Sequence, residues 1–74
     1  MKTKIFSVKQ NTVIEETTVQ NCWKNPVVLI LSDELLTDER ITEISGIKNP
    51  RIERRIHQTE NGTVSGYSHY VFNK

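Results

Sequence analysis

The first twenty residues alternate apolar and polar positions, with Ile5, Phe6, Val8, Val13, Ile14 and Val19 set among Lys, Thr and Glu. Valine and threonine favour a pleated surface and Gln10-Asn11 is a turn signal, so the pattern predicts a β-hairpin of about residues 2–9 and 12–19. The run Val27-Val28-Leu29-Ile30-Leu31 reads two ways. Asn25 is a good N-cap and Pro26 suits a first helical position, which favours a helix carrying Val27, Val28, Leu31 and Leu35 on one face. The same β-branched run also describes a buried strand. Next, Thr37 caps a segment that opens with Asp38 and Glu39, carries Ile41 and Ile44 as its apolar stripe and stops at Gly46, predicting a helix over 38–45.

Asn49-Pro50 repeats the device of Asn25-Pro26, and predicts a further helix over residues 50–60 that ends at Asn61-Gly62. On such a helix Ile52, Ile56 and Thr59 share a face. Arg51, Arg54, Arg55 and Gln58 form a separate stripe roughly 100° around the axis. Residues 63–72, aromatic and β-branched around Gly66, read as a strand or short hairpin.

This order resembles the winged helix-turn-helix DNA-binding proteins, over residues 25–72: a first helix, then Leu36-Thr37-Asp38-Glu39-Arg40-Ile41-Thr42-Glu43-Ile44-Ser45-Gly46-Ile47, then Arg51-Ile52-Glu53-Arg54-Arg55-Ile56, then a glycine-led strand. Thr42, Ser45 and Thr59 stand where that pattern carries alanine, an aliphatic residue and leucine. The resemblance implies an α+β fold in which an N-terminal hairpin precedes a three-helix core with a C-terminal wing. It further implies that helix 50–60 enters the major groove of duplex DNA. Lys48, Arg51, Arg54, Arg55 and Gln58 would contact it, with Tyr67 and His69 on the wing.

A competing fold follows from Asn61-Gly62, a strong hairpin signal. A tight turn there pairs Ile56 with Tyr67 and Ile52 with Val71, leaving a small sheet of two hairpins and a buried strand with one helix. In that fold the arginines lie on a sheet, and the expected activity is that of a protein-binding inhibitor or adaptor.

Composition bounds both readings. The chain of 74 residues predicts one domain, and 35% hydrophobic with 26% charged residues is a globular rather than a disordered balance. A domain this small has little core, so a protein partner or a self-dimer is expected to matter. Net charge is only +1, yet residues 33–43 hold five acids and one arginine while residues 47–58 hold four bases and one acid. That local basic stretch is the electrostatic footprint looked for in a nucleic-acid binder. Lys2, Lys4 and Lys9 read instead as guards of an edge strand.

The single cysteine, Cys22, excludes an internal disulfide and a cysteine-pair zinc site, and His57, His69 and Cys22 lack ligand spacing. No nucleophile–base arrangement or phosphate loop is visible, so neither an enzyme nor a cofactor, metal or small-molecule substrate is expected. The longest apolar run is too short for a membrane helix and no signal-like segment opens the chain, so a cytoplasmic protein is expected. Asn61-Gly62-Thr63 matches a glycosylation acceptor but reads as a turn. Trp23 and Phe72 are expected in the core, although an exposed aromatic would anchor a partner. The favoured expectation is a small regulatory DNA-binding protein of the kind phages and other mobile elements use.

Overall fold

A computed structural model describes residues 2–21 and 23–73, so the readings made for Cys22 lie outside the described residues. The chain runs β1 (Thr3–Ser7), β2 (Thr12–Thr17), β3 (Val28–Ser32), α1 (Asp38–Ser45), β4 (Arg51–Gln58) and β5 (Val64–Phe72). These strands make one sheet in the order β2-β1-β3-β5-β4. Every neighbouring pair is antiparallel except β1 with β3.

The N-terminal hairpin forms where alternation placed it, turning through Asn11 in the left-handed region at φ 54°. A bulge at Ile14, between the partners of Ile5 and Phe6, twists β2 midway along. Helix α1 forms where its caps placed it. The Thr37 side chain accepts from the Arg40 N–H at 3.2 Å, and Gly46 closes the helix at φ 72° with its N–H donating to the Thr42 carbonyl at 2.8 Å.

The three-helix core is overturned: β3 and β4 are strands, and α1 is the one helix among the described residues. At residues 25–31 the backbone groups a helix would use internally are taken by neighbouring strands. Thr3 Oγ1 donates to the Pro26 carbonyl at 2.6 Å, Lys4 N–H to the Val27 carbonyl at 3.2 Å, and Val27 N–H to the Val71 carbonyl at 2.8 Å. Asn25 caps nothing, and its Oδ1 is buried without a partner. At residues 49–58 the obstacle is conformational. Asn49 sits at φ 49°, whereas an N-cap needs extended backbone, and Pro50 then leads directly into β4. Segment 64–72 is no wing but an inner strand, bonded to β3 on one side and β4 on the other.

The β4–β5 register pairs Ile52 with Val71 and Ile56 with Tyr67, the pairing that a turn centred on Asn61-Gly62 dictates. A bulge after His57 lets Thr59 N–H bond the Thr63 carbonyl at 2.8 Å, so the loop is wider than two residues.

Alternation assigns the faces. Phe6 and Val8 of the first hairpin, Val28 and Ile30 of β3, Ile52 of β4 and Val71 of β5 meet Leu36, Ile41, Ile44 and Ile47 from the helix and its flanks. Ile30, Ile41 and Val71 are fully buried, and they form the centre of the core. The opposite face holds Ile5, Leu29 and Phe72, all buried, with the Arg51 guanidinium lying over the Phe72 ring at 4.3 Å. Because β3 is buried on both faces, its sequence is apolar from Val28 to Leu31.

Candidate functional site

The structure scatters the seven predicted nucleic-acid contacts instead of gathering them. Lys48 lies in the loop after α1, beside a shallow cleft of about 630 Å³ between that helix and Ile52. Arg51 and Arg55 project from the face opposite α1, Arg54 from the helix face, because neighbouring strand residues alternate. Arg51 pairs with Glu53 at 3.0 Å. Arg54 is bound to the Asp38 carboxylate and donates to the Leu36 carbonyl at 3.2 Å, which ties β4 to the helix start. Gln58 Nε2 donates to the Gly62 carbonyl at 3.4 Å and braces the loop. Arg55 has no hydrogen-bond or ion-pair partner among the described residues.

Tyr67 and His69 do not reach outwards either. Their rings stack with centroids 6.4 Å apart, Tyr67 half-buried and His69 fully buried. The Ser32 hydroxyl donates to the Glu34 carbonyl at 2.5 Å, so at its 2.9 Å contact with His69 it can only accept. His69 is therefore the neutral tautomer with the proton on Nε2, and its Nδ1 faces the interior without a partner. Burial holds this imidazole below histidine's ordinary pKa, the Arg54 charge adds to the depression, and the Glu34 carbonyl opposes it. A sealed, neutral histidine cannot contact a phosphate. With no recognition helix, two arginines paired internally, Tyr67 half-buried and His69 fully buried, the winged helix-turn-helix that would present these residues to DNA is absent from the described residues.

The structure presents something the pattern of apolar residues hid. Trp23, expected in the core, is 94% exposed, whereas Phe72 is buried as expected. It stands on a turn closed by two backbone hydrogen bonds between Asn21 and Lys24, at 2.9 and 3.0 Å. Its backbone is left-handed at φ 70°, a conformation costing a bulky residue on the order of 1 kcal/mol. Leaving the indole in water forgoes roughly another 3 kcal/mol of burial. The turn is nevertheless fixed: Asn21 Nδ2 donates to Glu53 Oε2 at 2.8 Å, while the other oxygen of Glu53 takes Arg51. Trp23's turn, Asn21, Glu53, Arg51 and Phe72 thus form one linked surface beside β4, on the face away from α1. The sequence signal that marks the turn is polar: Asn21, Lys24 and Asn25 surround the tryptophan with residues suited to turns, not to a core.

This surface joins an exposed indole to a bonded network of polar side chains. The two serine–histidine hydrogen bonds, Ser32 Oγ with His69 Nε2 and Ser68 Oγ with His57 Nε2, both engage buried serines. Among the described residues no three His, Cys, Asp or Glu side chains converge as metal ligands would, and no helix is long and apolar enough to cross a membrane. Comparison with protein-family models, with curated proteins and with solved structures finds no significant match to this chain.

Proposed function

We propose that this protein is a small protein-binding module, an inhibitor or adaptor in type and not an enzyme, that docks by inserting Trp23 into an apolar pocket of a cytoplasmic partner. The observation that carries the reading is an almost fully exposed tryptophan held in a costly backbone conformation by a braced turn. Strain and exposure that the fold itself does not use are the expected signature of a preorganised anchor. Tryptophan is also the residue most enriched among those that dominate binding energy, and here Lys24 on the same turn, with Arg51 bonded to the Glu53 that braces it, supplies a polar rim.

The test is a comparison of the intact chain with Trp23→Ala as baits in affinity capture followed by mass spectrometry, alongside thermal melts of both. A partner held by the parent chain and released by a variant that melts at the same temperature supports the reading. An anchor of this kind contributes about 2 kcal/mol or more, roughly 30-fold in affinity. A captured partner that binds Trp23→Ala equally well, or a variant that unfolds, removes it.

A further inference from the structure

Two strands end the sheet, and they are guarded unequally. The outer edge of β2 carries Glu15 and Glu16 and is broken at its middle by the Ile14 bulge, an arrangement that discourages a further strand. The edge strand β4 has no proline or lysine within it, and its charges, Arg51, Glu53, Arg54 and Arg55, are of both signs and can pair across an edge. Its pairing with β5 is regular from Arg51 to His57, with its one irregularity at the last step. It therefore offers an unbroken row of backbone donors and acceptors, and Ile56 beside them is 56% exposed.

We propose that β4 pairs with β4 of a second copy of this chain, antiparallel about a two-fold axis at Arg54. A two-fold perpendicular to the sheet keeps facing side chains on the same face, so residues opposite one another must both be odd or both even in number. Few registers remain. Centring on Glu53 sets Arg51 against the arginine at 55, and centring on Arg55 sets Ile52 against Gln58. Centring on Arg54 sets Ile52 against Ile56 twice on the helix face and Glu53 against Arg55 twice on the other. Both are favourable cross-strand pairs.

The groups are in the state this register needs. Arg54, which meets its own copy, is already neutralised by Asp38. Arg55 has no partner among the described residues, and Glu53, with one bond taken on each oxygen, retains lone pairs to accept it. Ile56 gains the apolar cover it lacks. The product is a continuous ten-stranded sheet with both Trp23 turns on one face, flanking the axis. The inference goes beyond the proposed function and does not depend on it, because a dimer can form whether or not Trp23 binds a partner.

Sedimentation equilibrium and light scattering on the intact chain, with no partner added, test it. The expected mass is twice that of the monomer at micromolar concentration. Arg55→Glu breaks no side-chain bond among the described residues and places a carboxylate of the other copy against each Glu53, so it weakens association at least about 10-fold. The exchange Glu53→Arg with Arg55→Glu restores it. In a Cys22→Ser background, Arg54→Cys forms a disulfide-linked dimer on oxidation and Arg51→Cys does not, since only position 54 faces itself. A monomer at all concentrations overturns the proposal. So does a dimer indifferent to Arg55→Glu, or cross-linking at 51 in place of 54.

Discussion

Acidification makes His69 the most readable residue in the molecule. Its imidazole is fully buried, neutral and within the field of Arg54, so the folded chain resists protonating it. The unfolded chain does not. It takes up the proton as the pH falls through histidine's ordinary value of about 6.5, and wherever the unfolded state binds more protons stability falls with falling pH. The folded pKa is the lower one, so this contribution is whole above about 6.5 and drains progressively from there towards the folded value. The slope cannot exceed about 1.4 kcal/mol per pH unit for one group, so one unit below 6.5 the loss is at most about 1.4 kcal/mol. That is a sizeable part of the roughly 4–11 kcal/mol expected for a domain of this length. With a urea dependence of about 1 kcal/mol per molar, the midpoint drops between pH 7.5 and 5.5, by no more than about 1.4 M. Urea titrations across that interval, at fixed protein concentration and above the range where carboxylates titrate, measure it directly. His69→Gln should begin with a lower midpoint and show a flat profile. If the parent midpoint holds steady, or if the drop persists in His69→Gln, the assignment of a sealed neutral imidazole is wrong.

Other outcomes follow from the same structure. Ile41 is the fully buried residue of the single helix, so Ile41→Ala should cost about 2–5 kcal/mol in chemical denaturation, and a loss under about 1 kcal/mol would show that α1 packs loosely. Thr37→Ala removes a cap and should cost about 1 kcal/mol. Gly46→Ala forces a side chain into the left-handed region and should cost a similar amount, although nothing stands near the added carbon; equal stability of the two proteins in urea would refute the strain account.

Helix α1 could be read from the chain because its signals are local: a threonine cap, two acids in the first turn and a terminal glycine. The first hairpin was legible for the same reason, since alternation and a turn pair are both short-range. β4 was not, and the physical cause is specific. Ile52 and Ile56 are four residues apart, and four is close to one helical turn and also an even number, so both residues share a face under either periodicity. The arginines then fall into a stripe on a helix and onto opposite faces of a strand. Only the pairing with Tyr67 and Val71 separates the cases, and it acts across more than ten residues. Asn49-Pro50 looked like a helix start because a cap is recognised by residue type. What decides is the backbone angle at Asn49, which composition does not carry.

Trp23 was hidden for the converse reason. A large aromatic is assigned to the core by default, and its exposure depends on a side-chain bond from Asn21 to Glu53, thirty-two positions away. The candidate site is therefore a product of tertiary structure, and of its members only the basic residues of β4 stood out in the sequence.

The place of β5 in the sheet governs how the chain can be made. It follows the other strands in sequence yet lies inside, between β3 and β4. As the polypeptide leaves the ribosome from its N-terminus, β3 has β1 on one flank and nothing on the other, and β4 has no neighbour at all until residues 64–72 have emerged. Vectorial synthesis thus yields two unjoined pieces that close in a single late step, with the apolar run 27–31 open to chaperones or to aggregation until that insertion is complete.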